Sequence, residues 1–162
     1  MLVNNPGLTY EIRPLAKEEW EEAMALAWRT FKKFEADEYG REGTESFLNF
    51  ISDTTLFKVF LNGGYKVFVA VENGKIIGLI SLRDANHISL LFVEEEYHKK
   101  GVGRNLIAYL REYLRTREHL HWCTVNAAPY AVEFYYRLGF FKIGDEMEND
   151  GIRYTPMKIM DA

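Results

Sequence analysis

"YHKKGVGRNL", residues 97–106, follows an apolar run, "HISLLFV" (87–93), and opens a segment whose apolar members, Val102, Leu106, Ile107, Leu110 and Leu114, fall at helical spacing. Two glycines one residue apart at a strand-to-helix junction permit positive φ and let backbone N–H groups come close to a ligand. The first turn of a helix carries unsatisfied N–H donors and partial positive charge, so the junction suits a phosphate. The same spacing occurs in ordinary strand-to-helix turns, and the rest of the chain has to decide between the two.

C-terminal to this junction the helix carries Arg111, Arg115 and Arg117 toward its end, where the dipole favours cations. A strand "LHWCTVN" (120–126) follows, then a helix after Pro129 that Gly139 stops. The tail "FFKIGDEMENDGIRYTPMKIM" reads as a closing hairpin turning near Asp150-Gly151, with Pro156 implying an edge or a bulge in its second strand. On the N-terminal side, "YKVFVAVENGKIIGLISL" is two strands joined at Asn73-Gly74, a dipeptide suited to a tight hairpin turn. Both faces of each strand are apolar, so both should be covered.

Further upstream, "LTYEIRPL" (8–15) reads as a strand. Trp20, Met24, Ala27, Trp28, Phe31 and Phe34 predict an amphipathic helix from Lys17 to about Asp37. A second helix is expected after Gly43, capped by Thr44, with Phe47, Phe50 and Ile51 inside. The expected order is β-α-α-β-β-β-α-β-α-β-β. This is a mixed α/β domain over residues 1–162, with a twisted sheet of about six to seven strands and helices on both faces.

Composition agrees with an ordinary globular chain: 48% hydrophobic and 27% charged residues over a length of 162 exclude a disordered one. A net charge of −4 argues against nucleic acid as a partner. Cys123 is the sole cysteine, which excludes an intrachain disulfide, and the four histidines do not cluster as metal ligands, so no metal is expected. Without a leader-like segment or an apolar run of spanning length, a cytoplasmic location and no membrane partner are expected.

A dinucleotide fold would place a third glycine where Leu106 stands, and a P-loop would need Gly-Lys-Ser/Thr; neither pattern is met. With the order of elements added, the junction resembles the GCN5-related N-acetyltransferase (GNAT) superfamily. The family pattern Gln/Arg-x-x-Gly-x-Gly/Ala stands here as His98-Lys99-Lys100-Gly101-Val102-Gly103, with His98 the departure. A second stretch, "NAAPYAVEFYYRLGF" (126–140), is similar to the family's later motif through Asn126, Phe134, Tyr135, Gly139 and Phe140.

The resemblance implies acetyl-CoA as cosubstrate and an amine as acceptor. N–H groups from Lys99 to Arg104, with Gly101, Val102 and Gly103 between them, would hold the pyrophosphate, and Lys99, Lys100 and Arg104 would lie near the 3′-phosphate or form a solvated rim. The strand before the loop would splay so that Leu91, Phe92 and Val93 receive the pantetheine arm, with Leu91 polarising the thioester carbonyl. Tyr135 takes the place of the acid that protonates the departing sulfur, and Asn126 would orient cofactor or water. His87, four residues before Leu91, is a candidate base with an ordinary pKa near 6.5, or a solvated strand-start histidine.

Aromatic residues between Trp20 and Phe50 would line the acceptor side or fill the core, and Glu35, Asp37, Glu38, Glu42 and Glu45 would favour a cationic acceptor. The alternative function is a non-catalytic acyl-CoA-binding module using the same cleft. Edges in the closing hairpin are compatible with a homodimer or a monomer.

Overall fold

The computed structural model describes residues 1–161. It opens with a hairpin of β1 (Leu2–Asn5) and β2 (Leu8–Pro14), followed by a 3-10 turn at Lys17–Glu19 and three helices, α1 (Trp20–Phe34), α2 (Ala36–Ser52) and α3 (Thr54–Leu61). Three strands come next, β3 (Lys66–Glu72), β4 (Lys75–Arg83) and β5 (His87–Val93), then α4 (Val102–Arg117) and β6 (Trp122–Ala127). The chain closes with α5 (Val132–Arg137), β7 (Phe141–Lys142), β8 (Met147–Asn149) and β9 (Ile152–Met160). The sheet runs β1-β2-β3-β4-β5-β6-β9-β7, with β8 paired to β9. Only β5 and β6 are parallel neighbours; the other pairs are antiparallel.

The mixed architecture is the expected one, but nine strands exceed the six to seven read from sequence. One addition is β1, which pairs with β2 across Pro6 and Gly7, the glycine at a φ of 77°. The other comes from the tail, which splits into β7 and β8 on successive stretches of β9. Pro156 lies at that split. Its carbonyl accepts from the Ile143 N–H at 2.9 Å, so its ring nitrogen, which has no hydrogen to donate, faces the turn between β7 and β8.

Helix boundaries also differ. Expected to start after Gly43, α2 starts at Ala36 and is interrupted at Gly40, whose φ of 70° and ψ of −166° are not helical. Thr44 therefore caps nothing and lies inside the helix. No element is expected over 54–64, where α3 forms; the Asp53 carboxylate accepts from the Thr55 N–H at 2.8 Å and caps it. The Asn73-Gly74 turn has the predicted positive φ at both residues, 49° and 78°.

Both faces of the central strands are covered, giving two cores. On one face α4 sets Val102, Leu106, Ile107, Leu110 and Leu114 against Tyr10, Ile12, Phe68, Ala70, Ile77 and Ile80. On the other, α1 and α2 bring Trp20, Met24, Phe31, Tyr39 and Phe47 onto Val67, Val69, Ile76, Leu79, Leu90 and Phe92. Burying a Leu, Ile or Phe side chain contributes about 1.5–3 kcal/mol each, so these two layers hold the sheet between the helices.

Candidate active site

The cleft begins where two strands part. β5 and β6 pair only at His87 with Thr124 and Ile88 with Val125; beyond that β5 stays on β4 while β6 stays on β9 along its whole length. β5 carries a bulge at Ser89, the extra residue opposite the Ser81–Leu82 step of β4, and it turns β5 away, because a bulge bends its strand and adds local twist. The Ser81 hydroxyl fills the gap by accepting from the Leu90 N–H at 3.0 Å, and Tyr65 holds it at 2.7 Å.

Strand parity decides what faces the opening. The Glu94 N–H donates to the Ile77 carbonyl at 2.8 Å, so the backbones of Leu90, Phe92 and Glu94 point to β4 and those of Leu91 and Val93 point into the cleft. Leu91 thus presents a free backbone donor and acceptor and Val93 a free N–H, while the Val93 carbonyl is engaged by the His98 ring. Phe92 presents neither. Its backbone serves the sheet, while its side chain lines the cavity described below and packs on Phe47 at 5.6 Å.

At the far end of the cleft lies the start of α4, and its two glycines do different work. Gly101 takes a φ of 82° as the cap residue, and Lys99 before it also has a positive φ of 62°. Gly103 is inside the first turn, where a Cβ would sit 3.3 Å from Cζ of Phe134. Val102, Gly103 and Arg104 leave their N–H groups free, since the first helical bond runs from the Asn105 N–H to the Gly101 carbonyl. Lys99, Lys100 and Arg104 are exposed around this turn and form no ion pair among the described residues. The His98 ring turns back instead, with Nε2 2.7 Å from the Val93 carbonyl and the ring 4.9 Å from Phe34.

At the near end is a cavity of about 470 Å³, walled by the α1–α2 junction, β5, β6, the segment leading into α5 and the β8–β9 turn. Tyr135, Asn126, Leu91 and His87 all reach it, so the chain brings together the residues expected to handle the acyl group. Tyr135 is 5% exposed and lines the cavity. Burial, then the charge on Glu35, push its pKa well above the usual phenol range, so it stays protonated. His87 is half-buried, with Nδ1 2.7 Å from the Thr124 hydroxyl. Burial and the nearby Arg83 pull its pKa down to about 4, so it is neutral but a weak acceptor for a proton held by an ammonium.

Glu35 is the carboxylate with more pull. It sits at the break between α1 and α2, continuing the buried Ala27 and Phe31 stripe one further turn, and is only 8% exposed. Its Oε2 accepts from the Tyr130 hydroxyl at 3.3 Å, and burial raises its pKa to about 7. From sequence, Glu35 is one of five acidic residues on that segment; the i, i+4 continuation from Phe31 is the signal that singles it out. Tyr130, although 55% exposed as a residue, brings its hydroxyl to that carboxylate.

The cavity is roofed by α2 and the β8–β9 turn. Gly43 and Gly151 approach so closely that a Cβ on Gly43 would lie 2.7 Å from the Gly151 carbonyl oxygen. The Ser46 hydroxyl donates to the Asp150 carbonyl at 3.0 Å, and Arg153 reaches Glu38 at 3.4 Å.

A parted strand pair with free backbone groups, running from a buried tyrosine to the open start of a helix, defines a receptor for a ligand that combines amides with phosphates. Residues 35–160 match the acetyltransferase (GNAT) domain, and the chain belongs to that family. Its relatives include an uncharacterized N-acetyltransferase of Methanocaldococcus jannaschii, 28% identical over 147 residues that make up 86% of this chain and 64% of the relative. Another is the uncharacterized N-acetyltransferase YafP of Escherichia coli, 36% identical over 75 residues, 46% of this chain and 45% of the relative. The chain thus spans less than two thirds of the length of these curated relatives. Among solved structures, a GCN5-related N-acetyltransferase from Rhodopseudomonas palustris superposes with a TM-score of 0.79 at 26% identity, covering 93% of this chain and 94% of that one. The PaiA N-acetyltransferase of Thermoplasma acidophilum, in complex with coenzyme A, shares the fold with a TM-score of 0.73 at 20% identity, covering 95% and 100%.

Proposed function

We propose that this chain is one acetyltransferase domain that moves the acetyl group of acetyl-CoA to a primary amine by direct attack within a ternary complex. The observation that carries the reading is the cleft-facing backbone of Leu91 and Val93, which leads from the cavity lined by Leu91 and Tyr135 toward the free N–H groups opening α4. The residues fit the cosubstrate on two counts. Strand β5 offers the Leu91 amide groups and the Val93 N–H to the pantetheine arm, and Gly101 to Arg104 offer a pyrophosphate cradle flanked by Lys99, Lys100 and Arg104.

Acetyl-CoA supplies the activated thioester. The Leu91 N–H donates toward the acyl oxygen, where negative charge develops as the amine attacks. Tyr135, kept protonated by burial, donates its proton to the sulfur, and Asn126 at the cavity wall steadies the acyl group or a water. The amine must be neutral when it attacks, because an ammonium has no lone pair.

The test is release of free CoA thiol from acetyl-CoA across a panel of amines, with Tyr135→Phe alongside. Amine-dependent release that falls in the variant supports the transferase. Binding of acetyl-CoA without release for any amine, small or macromolecular, would replace it with the binding-module reading.

A further inference from the structure

The transferase reading leaves one group unused: a carboxylate inside the cavity with no cation beside it. Charged side chains are rarely buried unless an opposite charge or several hydrogen bonds offset the lost hydration. Glu35 has a single acceptor contact, from the Tyr130 hydroxyl, and no ion pair among the described residues. Its neighbours worsen its position, since Glu38 on α2 adds negative charge and the arginine at hand, Arg153, bonds to Glu38 instead. Tyr39 and Tyr135 face it as neutral phenols whose ionisation its charge opposes. Across the cavity stand His87 and Arg83, and Asp150 lies at the roof.

The rest of the wall is aromatic. Phe31, Tyr39 and Phe47 stack on one another beside the carboxylate, with Phe31 to Phe47 at 4.1 Å and Phe31 to Tyr39 at 5.7 Å. An interior anion among aromatic side chains matches the chemistry of an organic ammonium, whose charge the carboxylate offsets and whose carbon body the aromatic wall covers.

We propose that Glu35 is the acceptor-binding carboxylate and general base, and that the acceptor is a primary amine with an apolar body that enters as its ammonium ion. This rests on the transferase reading. Glu35 takes one proton from the ammonium, leaving a neutral amine with its lone pair free. The amine nitrogen bonds to the acyl carbon, the carbon–sulfur bond breaks, and the thiolate leaves with the Tyr135 proton. The surplus proton on the nitrogen restores the Tyr135 phenol, and Glu35 returns its own proton to water once the amide leaves. In sum, ammonium and thioester give amide, thiol and one released proton.

The experiment compares wild type with Glu35→Gln on two acceptors of the same carbon skeleton. One is an alkylamine protonated at the assay pH; the other is its fluoroalkyl analogue, which is already neutral there. For the alkylammonium, kcat/KM is expected to fall about 100-fold. For the neutral analogue it should fall only a few fold, and acetyl-CoA affinity should not change. Equal losses on both acceptors would make Glu35 merely structural, and no loss on either would remove it from the site. Calorimetric binding of the alkylammonium to both proteins separates this from failure of the transferase reading. Should wild type turn over neither amine, tenfold weaker ammonium binding by Glu35→Gln still supports the anchor, whereas equal binding, or none to wild type, overturns it.

Discussion

Glu35→Gln removes a buried charge while keeping the side chain's shape and its ability to accept from Tyr130, so it should make the protein more stable at neutral and alkaline pH. The carboxyl pKa rises from the ordinary 4.5 to about 7 because burial disfavours the anion. A folded pKa above the unfolded one means the native state binds more protons between those values, so wild-type stability contributed by this group falls as pH rises through the window. At about 1.4 kcal/mol per tenfold change in proton affinity, the cost of holding Glu35 ionised reaches about 3 kcal/mol above pH 7. Relieved in the variant, that cost corresponds to a Tm higher by roughly 6–12 °C for a chain of this length. Urea unfolding followed by tryptophan fluorescence, from about pH 4.5 to 8.5, reads the difference between variant and wild type. It should be near zero at the acid end and grow toward alkaline pH. A difference that does not change with pH, or a variant less stable at pH 8, would show that the carboxylate is not buried as an unpaired charge.

His87 should act with the opposite sign. Its pKa is pulled from 6.5 to about 4, so its contribution is full above the unfolded value and lost as pH falls; replacing it by Gln should flatten the acid limb of a stability profile. Tyr135→Phe should lower amine-dependent turnover by about 100-fold. Its unfolding free energy should stay within about 1 kcal/mol of wild type, because Phe keeps the buried ring and only a cavity-lining hydroxyl is lost. Removing Lys99, Lys100 and Arg104 together should weaken acetyl-CoA binding and reduce its salt dependence, but leave the 3′-dephospho form less affected; equal affinities for both forms in wild type would make the three a solvated rim. Gly43→Ala should raise KM for the amine with acetyl-CoA affinity unchanged, since its Cβ would meet the Gly151 carbonyl at 2.7 Å and lift the roof. Tight acceptor binding in that variant would show that the roof does not bound the acceptor site.

What sequence reveals here is what short-range chemistry controls. Asn73-Gly74 and Asp150-Gly151 mark hairpin turns because few residues tolerate positive φ, and Gly101 marks the helix start for the same reason. Tyr135 is legible because it lies in a spaced pattern with Gly139 and Phe140. Thr44 misleads: a capping residue is judged by its neighbours, and here Gly40 breaks the helix instead. Helix α3 escapes because Leu56, Phe57, Val59 and Phe60, although at i, i+3 and i+4, repeat over only 8 residues, too short a run to declare a period. Phe57 and Phe60 are held by Trp20 at 5.4 and 4.9 Å, a tertiary contact. Glu35 is visible as an acid but not as the base. That role depends on Tyr130, the cavity and the absence of a nearby cation, brought together from distant parts of the chain.

The contact between Gly43 and Gly151 divides the molecule's tolerance to change. In the proposed reaction the acyl-donor half rests on backbone groups of β5 and α4, which many side chains leave intact, whereas the roof over the proposed acceptor half closes through two positions that admit no side chain at all. A mutational scan scored by activity would therefore rank both glycines beside Tyr135, although neither carries a reactive group. Acceptor preference would be free to drift through the residues flanking them while donor recognition stayed fixed.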